Sequence, residues 1–400
     1  MGNEKVSKIT TKMKTISDID FKNKTVLLRS DLNSDVINGK VIESERIKPA
    51  SETIKFLQKK GARVVVIAHQ GNPGKDDFAS LREHSKLLDK YSNIKFIPDL
   101  IGKQAEKAIQ ELKPGQAILL ENIRFEKDEF NPKNKQNKIL KFFLPLIDIY
   151  VNDAFSVCHR EHTSIVSFPK YKPACAGLLL EKEVTALKKI SIKDCLYILG
   201  GAKPGDNLKL LKNKNKILAG GIFGQMRLEA KGINFGENNE QVNKKMAKDY
   251  SLVLIKIKKL KNKNIITPID YAVEVSGKRV ELNLEQFPTD YVIYDIGEKT
   301  IKKYQEEIRR AKSVYMKGPV GFAGKKQFAK GTFEILKTIA LQTSNGKLFS
   351  LIGGGHLSDA IAKSKIPISR FSHISLSGGA LLSYVAGEAL PGLVALEQRT

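Results

Sequence analysis

Five times in the second half of this 400-residue chain, a short apolar run ends in glycine. The glycines are Gly200-Gly201, Gly220-Gly221, Gly318 with Gly321, Gly353 to Gly355, and Gly378-Gly379. The runs before them include Cys195 to Leu199, Ile217 to Ala219, Ser313 to Met316, Leu348 to Ile352 and Phe371 to Ser375. They are short and apolar at successive positions. This predicts strands buried on both faces, as in a parallel sheet between helices. One glycine pair needs only a tight strand-to-helix turn. Five at the ends of one sheet predict a cleft where backbone N–H groups and helix N-termini meet a nucleotide. The fingerprints of the common nucleotide loops are absent: no Gly-Lys-Ser/Thr ending, and no Gly-x-Gly-x-x-Gly followed by an acidic residue.

The first half alternates strands and helices as well. Strands are predicted at Thr25 to Leu28, Arg63 to Ala68, Ile94 to Ile97, Ala117 to Leu120 and Ile147 to Val151. Helices are predicted at Arg46 to Lys60, Ser80 to Tyr91, Ile101 to Leu112 and Asn137 to Leu144. Here the strand-end loops collect cations and carboxamides: Arg29, Asp31 and Asn33, then Arg46, His69, Arg124, and His159-Arg160. The planar fork of arginine pairs with phosphate and carboxylate through two donors at once. Brought together, these residues predict a basic pocket for a small acid.

Leu178 to Ile190 has apolar residues at helical spacing and predicts a helix joining the halves. Beyond it, further strands are predicted at Ile265 to Pro268 and Tyr291 to Tyr294. Helices are predicted at Ile222 to Lys231, Val242 to Lys261, Thr300 to Lys312, Phe328 to Leu341 and Leu357 to Lys363. Val273 to Leu284 is expected to form a small antiparallel piece. The length suits two α/β domains: 1–177, a connecting helix over 178–193, and 194–388, with 389–400 as a final segment.

Charge and composition exclude several classes. No apolar run is long enough to span a membrane, and Met1 to Lys14 is too polar for a secretory signal. Cys158, Cys175 and Cys195 lack metal-ligand spacing and suit a reducing cytoplasm. The net charge of +25 invites a nucleic-acid reading. However, the lysines are scattered in runs such as Lys212 to Lys216 and Lys256 to Lys263, without interleaved aromatics. A solvated lysine-rich surface accounts for them, and a basic nucleic-acid-binding protein stays as an alternative. Phosphoryl transfer fits the residue pattern, because it depends on positioning and charge neutralisation in a water-poor site.

The order of motifs resembles the phosphoglycerate kinase family from about Thr25 to Leu396. In the first half the resemblance rests on Leu28-Arg-Ser-Asp-Leu-Asn33, Glu45-Arg-Ile47, His69-Gln-Gly-Asn-Pro73, Leu120-Glu-Asn-Ile-Arg-Phe125 and Val151-Asn-Asp-Ala-Phe155. In the second it rests on Leu199-Gly-Gly-Ala-Lys203, Asp295-Ile-Gly-Glu-Lys-Thr300, Lys317-Gly-Pro-Val-Gly321, Ile352-Gly-Gly-Gly355 and Leu390-Pro-Gly392. It implies two Rossmann-like parallel-sheet domains in a bilobal fold. It also implies reversible phosphoryl transfer between 1,3-bisphosphoglycerate and Mg-ADP after hinge closure, by a cytoplasmic monomer. By position, Arg29, Asp31, Asn33, Arg46, His69, Asn72, Arg124, His159 and Arg160 would bind the glycerate. Arg46, Lys203, Gly354 and Gly378 would act in catalysis. Gly201, Lys203, Asn207, Gly220, Gly221, Lys317, Gly318, Pro319, Gly324, Gly353, Gly354, Gly355 and His356 would bind ATP or ADP.

Several positions depart from the family pattern. Asn72 and Asn207 stand where Arg and Lys are usual, Lys317 where Asn is usual, and Gly324 where a ribose-binding Glu is usual. Ile222 replaces a glycine, and Leu376-Ser377 replaces Thr-Gly. His356 occupies the position of the metal-binding Asp, and Asp359, one helical turn on, is the alternative carboxylate for Mg2+. Two consequences are open at this stage. In one, Lys317 restores the cation lost at 207. In the other, the fold has become a binding protein with altered or lost nucleotide use.

Overall fold

The computed structural model describes residues 13–212, 214–246, 248–260 and 264–397. The stretch Met1 to Lys14 and the two lysine runs therefore lie partly outside the described residues. The chain divides into two compact units. One comprises residues up to Lys188 and from Gly387 onward, and the other Lys189–Ala386.

The first unit is built on β1 (Thr25–Arg29), β4 (Arg63–Ile67), β5 (Lys95–Phe96), β6 (Ala117–Leu119), β7 (Ile149–Asn152) and β8 (Ala174–Ala176). They form one sheet in the order β5-β6-β4-β1-β7-β8, with every pairing parallel. β1, β7 and β8 are buried at every residue, which requires cover on both faces. Val64 to Ile67 and the helix Ile47–Lys59 supply much of the core, with Ile47, Ile54 and Leu57 fully buried on one helical stripe. A two-stranded hairpin, β2 (Val36–Ile37) and β3 (Lys40–Val41), and the strand β8 were not foreseeable from apolar patterning. β8 reads Ala-Cys-Ala and carries no β-branched residue.

The second unit repeats the design with β9 (Cys195–Leu199), β10 (Ile217–Ala219), β11 (Ile265–Ile266), β15 (Ser313–Lys317), β16 (Phe349–Gly353) and β17 (His373–Ser375). Their order is β11-β10-β9-β15-β16-β17, again entirely parallel. A separate antiparallel sheet holds β12 (Asp270–Val275), β13 (Lys278–Asn283) and β14 (Ile293–Ile296) in the order β13-β12-β14. The hairpin over 273–284 is thus present, closed by Ser276-Gly277, both at positive φ. That is the two-residue turn whose twist suits paired strands. The strand expected at Tyr291 to Tyr294 lies two residues later and joins this antiparallel sheet. The helix expected over Val242 to Lys261 is described as Glu237–Met246 and Lys248–Lys258, with residue 247 outside the described residues.

Two features tie remote chain segments into the first unit. The helix Pro391–Leu396 packs on the short helix Thr163–Val166, with Gly392 N–H donating to the Cys158 carbonyl at 2.9 Å. A Cβ at Gly392 would meet Ile165 Cγ2 at 2.8 Å and Cys158 Sγ at 2.9 Å, so this packing needs glycine. Asp153, just after β7, accepts the N–H groups of Leu179 and Leu180 through Oδ1 at 2.8 and 3.2 Å. It thereby caps the helix Leu178–Lys189.

Burial pushes the Asp153 carboxyl up to about 7, against the Thr53 hydroxyl and the two N–H donors that favour the anion. A raised carboxyl pKa stabilises the fold fully below the unfolded-state value of roughly 4. That contribution is lost as pH rises through the folded value. Urea unfolding at about pH 5 and about pH 8 tests this. The native chain is expected to weaken over that interval by on the order of 2 kcal/mol more than Asp153→Asn. Equal slopes would refute the buried proton.

Candidate active site

In the first unit the carboxyl ends of the adjacent strands β6, β4, β1 and β7 carry Arg124, His69, Arg29 and the turn bearing His159 and Arg160. Parallel pairing therefore gathers residues spaced over more than a hundred positions. Arg29 ends β1 and is fully buried. Its Nε donates to Ser164 Oγ at 2.9 Å, Nη1 to the Ser30 carbonyl at 2.6 Å, and Nη2 to His69 Nδ1 at 3.1 Å. Ser164 is bonded in turn to the buried Glu129 through both its N–H and its hydroxyl, at 2.9 and 2.7 Å. Arg29 is thus an internal residue that orients His69.

That contact settles the histidine tautomer. A guanidinium only donates, so His69 Nδ1 accepts and the single ring proton sits on Nε2. Burial first, then Arg29, Arg124, Arg46 and Arg160, hold the His69 pKa well below its usual value. Four of the five expected arginine and histidine positions around His69 therefore act on one point. His159 sits beside Arg160, half-buried on the same turn.

Arg46 precedes the helix Ile47–Lys59 and reaches Asp31 Oδ1 at 3.3 Å and the Asn33 carbonyl at 3.2 Å. Ser156 donates to the second Asp31 oxygen at 2.5 Å, and Asn33 Oδ1 accepts the Gly71 N–H at 2.8 Å. Arg124 donates through Nη1 to the Gly71 carbonyl and to Asn72 Oδ1, at 2.5 and 3.0 Å. Asn72 therefore accepts from the cluster; as an asparagine it adds no charge. Arg124 is 3% exposed, and its Nε and Nη2 have no partner among the described residues. Arg160 Nε is likewise buried and unpartnered. Burial and the neighbouring Arg29 and Arg160 bring the Arg124 pKa down to about 10. Buried cationic donors without acceptors are costly. Their arrangement is that of a site preorganised for a phosphate or carboxylate.

In the second unit the five glycine loops follow β9, β10, β15, β16 and β17, which are neighbours. Three of these loops interlock. Gly200 N–H donates to the Lys317 carbonyl at 2.8 Å, Gly201 to Pro319 at 2.7 Å, and Gly221 to Val320 at 2.9 Å. A Cβ on Gly200 would meet the Pro319 oxygen at 2.2 Å. The N–H groups of Gly200, Gly201 and Gly221 are therefore spent on the Lys317 to Val320 backbone, and that of Gly220 on the Leu199 carbonyl at 2.8 Å. This corrects the expectation that they face an anion; these glycines give the cleft its shape. The helix Gly355–Ser364 presents its first N–H groups after Gly354, which sits at φ 104°, and the helix Gly379–Val385 follows Gly378.

Lys317 ends β15, with Nζ 3.2 Å from Asn207 Oδ1 and 3.5 Å from Asp206 Oδ2. Asn207, fully buried, donates through Nδ2 to the Gly200 carbonyl at 3.4 Å. Burial lowers the Lys317 pKa, Asp206 opposes that, and the exposed Lys203 adds to it. Lys203 and Lys317 thus stand at the ends of two neighbouring strands.

A cavity of 770 Å³ opens beside these loops, lined by Gly201, Gly221, Pro319, Gly324 and Asp359 among others. It also includes Gln225, Asn238, Tyr271, Tyr294 and Phe322, none of which the sequence singled out. Phe322 could have been found, since it follows the Gly318-Pro-Val-Gly321 loop directly. The others come from helices and the antiparallel sheet, where no motif marks them. Of the two carboxylates on the wall, Asp295 is bonded to Arg279 at 2.7 Å and to the Gly331 N–H at 2.7 Å, whereas Asp359 is exposed. No cluster of three His, Cys, Asp or Glu side chains exists among the described residues, and the His356 side chain lies outside them. No helix there is long and apolar enough to cross a membrane.

Residues 16–388 match the family model described as phosphoglycerate kinase. Similar curated proteins are the phosphoglycerate kinases of Methanopyrus kandleri, 37% identical over 399 residues, and of Pyrococcus furiosus, 39% identical over 402. Both alignments cover 96% of this chain and 97% of the relative. Among solved structures, phosphoglycerate kinase from Pyrococcus horikoshii OT3 matches with a TM-score of 0.83 at 38% identity, covering 96% of this chain and 98% of its own. The Coxiella burnetii phosphoglycerate kinase matches at 0.77 and 29% identity, covering 96% and 99%.

Replacing Gly318 by Ala tests the interlock. Gly318 is at φ +74°, and its Cβ would sit 2.9 Å from the Gly200 carbonyl carbon. A loss of about 1–3 kcal/mol is expected in chemical unfolding. An unchanged midpoint would mean the loops do not need this contact.

Proposed function

This chain belongs to the phosphoglycerate kinase family, and on that premise we propose how its residues divide the reaction. The chain is an enzyme, and the reaction transfers a phosphoryl group reversibly between 1,3-bisphosphoglycerate and Mg-ADP, giving 3-phosphoglycerate and Mg-ATP. The observation that carries the assignment of the acid to the first unit is Arg124, buried with two donors unspent, in a cluster of arginines around a neutral His69. Arg124, Arg160 and the His69 Nε2–H would take the phosphate of the glycerate, with His159 beside them. Asp31 and Asn33 would hold its hydroxyl and carboxylate region. Arg29 acts from behind by fixing His69. Asn72 keeps Arg124 in place.

The nucleotide would occupy the cavity of the second unit, its ribose near Gly324 and its phosphates toward Lys203, Lys317 and the N-terminus of the helix Gly355–Ser364. Helix N-termini favour anions, and the two lysines add charge. Arg46 and Lys203 would neutralise the transferring phosphoryl group, which moves in line between two oxygens. Lys317 supplies the second phosphate-side cation where Asn207 has none, and their contact at 3.2 Å supports an exchange of roles. Magnesium carried on phosphates requires only one or two protein carboxylates, so the exposed Asp359 fits as its protein ligand. When bound, the ion would offset charge on the phosphates. The buried, unbridged Cys158, Cys175 and Cys195 support a reducing cytoplasmic setting.

A coupled assay with 3-phosphoglycerate and Mg-ATP tests the assignment, and ATP-dependent turnover is expected. Binding of 3-phosphoglycerate without turnover would sink it. In the same assay Lys317→Asn should lower kcat on the order of 10²-fold. Unchanged kinetics would remove Lys317 from the phosphate site. Asp359→Ala should raise the magnesium concentration needed for half-maximal rate, and an identical magnesium curve would exclude Asp359 as the ligand.

A further inference from the structure

Among the polar side chains on the cavity wall of the second unit are Gln225, Asn238 and Tyr271. All are nine-tenths or more buried, at 8%, 3% and 1% exposure. One backbone group fixes their hydrogen-bond directions. The Ile293 N–H, which can only donate, meets Asn238 Oδ1 at 3.1 Å. Asn238 must therefore turn its Nδ2 the other way, and that nitrogen donates to Gln225 Oε1 at 2.8 Å. The acceptor of Gln225 is thereby occupied. Its Nε2 makes no hydrogen bond among the described residues and remains to donate into the cavity. Tyr271 also lines this cavity, and its hydroxyl is buried and has no partner among the described residues.

A buried hydroxyl without a partner and an amide locked with its donors outward describe a surface awaiting a polar ligand. We propose that Gln225, oriented by Asn238 and assisted by Tyr271, reads the nucleobase and selects a base edge that offers a hydrogen-bond acceptor. This rests on the reading that the cavity takes the nucleotide. The selected atom is O6 of a 6-oxo purine, which accepts, in preference to the 6-amino group of adenine, which donates. Gln225 and Tyr271 are specificity-determining residues; Asn238 is a positioning residue.

The test compares ATP and ITP, which differ at position 6, in kcat/KM and in direct nucleotide binding. Native protein, Gln225→Leu, Gln225→Glu and Tyr271→Phe are measured with saturating 3-phosphoglycerate. Native protein should favour ITP. Gln225→Leu should lower the ITP-to-ATP ratio about tenfold, the worth of one hydrogen bond. Gln225→Glu, which still accepts from Asn238 but presents an acceptor to the base, should lower it further. Tyr271→Phe should weaken nucleotide binding without lowering the unfolding midpoint. Equal losses for both nucleotides in Gln225→Leu would support the donor but overturn the choice of O6, moving the contact to a ring nitrogen. Base ratios and affinities unchanged in all variants, with turnover intact, would overturn the inference alone. Nucleotide binding without turnover would defeat the kinase reading while the binding ratios still decide this one. No nucleotide binding by the native protein would overturn both. The KM for 3-phosphoglycerate reports folding and should stay within about twofold, a change worth less than one hydrogen bond.

Discussion

The second unit depends on how closely three loops approach one another. The backbone around Gly200 and Gly201 lies against Gly318 to Val320 on one side and Gly221 on the other, at distances that no side chain would permit. This contact brings the ends of β9, β10 and β15 together and forms one end of the cavity. It also consumes the N–H groups that a glycine-rich loop usually advertises. On the proposed reading, anion binding would fall instead to the helix N-termini after β16 and β17 and to Lys203 and Lys317. Charge in this cleft comes from lysine side chains and helix ends, with the glycines determining where those groups can stand.

The first unit solves a different problem, the confinement of several cations in a small volume. Arg29 is fully buried, yet it has hydrogen-bond partners in Ser30, Ser164 and His69, with Glu129 behind Ser164. His69 stays neutral first because it is buried, and then because adding a proton there would put another charge among four arginines. The cluster thus keeps one uncharged donor at its centre and leaves unspent donors on Arg124 and Arg160. On the proposed reading, an incoming phosphate would meet groups already held in place, which is the basis of electrostatic preorganisation.

Much of this was legible from residue order. A parallel sheet places strand ends side by side, so the residues that come just after each strand are the residues that share a site. That logic brought Arg29, His69, Arg124 and Arg160 together and aligned the five glycine loops. It could not tell which side chains face inward. Arg29 looked like a ligand-binding arginine and is an internal support. The Gly200 and Gly220 loops looked like donors and are mutually bonded. Gln225, Asn238 and Tyr271 were invisible because they belong to helices and to the antiparallel sheet, where their polarity gives no periodic signal. Asn207 and Lys317 were visible as two separate departures from a pattern, and only the structure brings them into contact, at 3.2 Å.

The short helix Pro391–Leu396 has a consequence for the order of events during synthesis. It completes the unit whose other residues end at Lys188, and its Gly392 N–H holds the carbonyl of Cys158, on the turn that carries His159 and Arg160. A nascent chain therefore passes through a long interval in which the first unit has its sheet but lacks this anchor, while the second unit, contiguous in sequence, can fold as it emerges. The turn bearing His159 and Arg160 is then among the last features to become rigid. An incompletely translated chain would display a sheet, a core and most of its arginines without a finished substrate pocket.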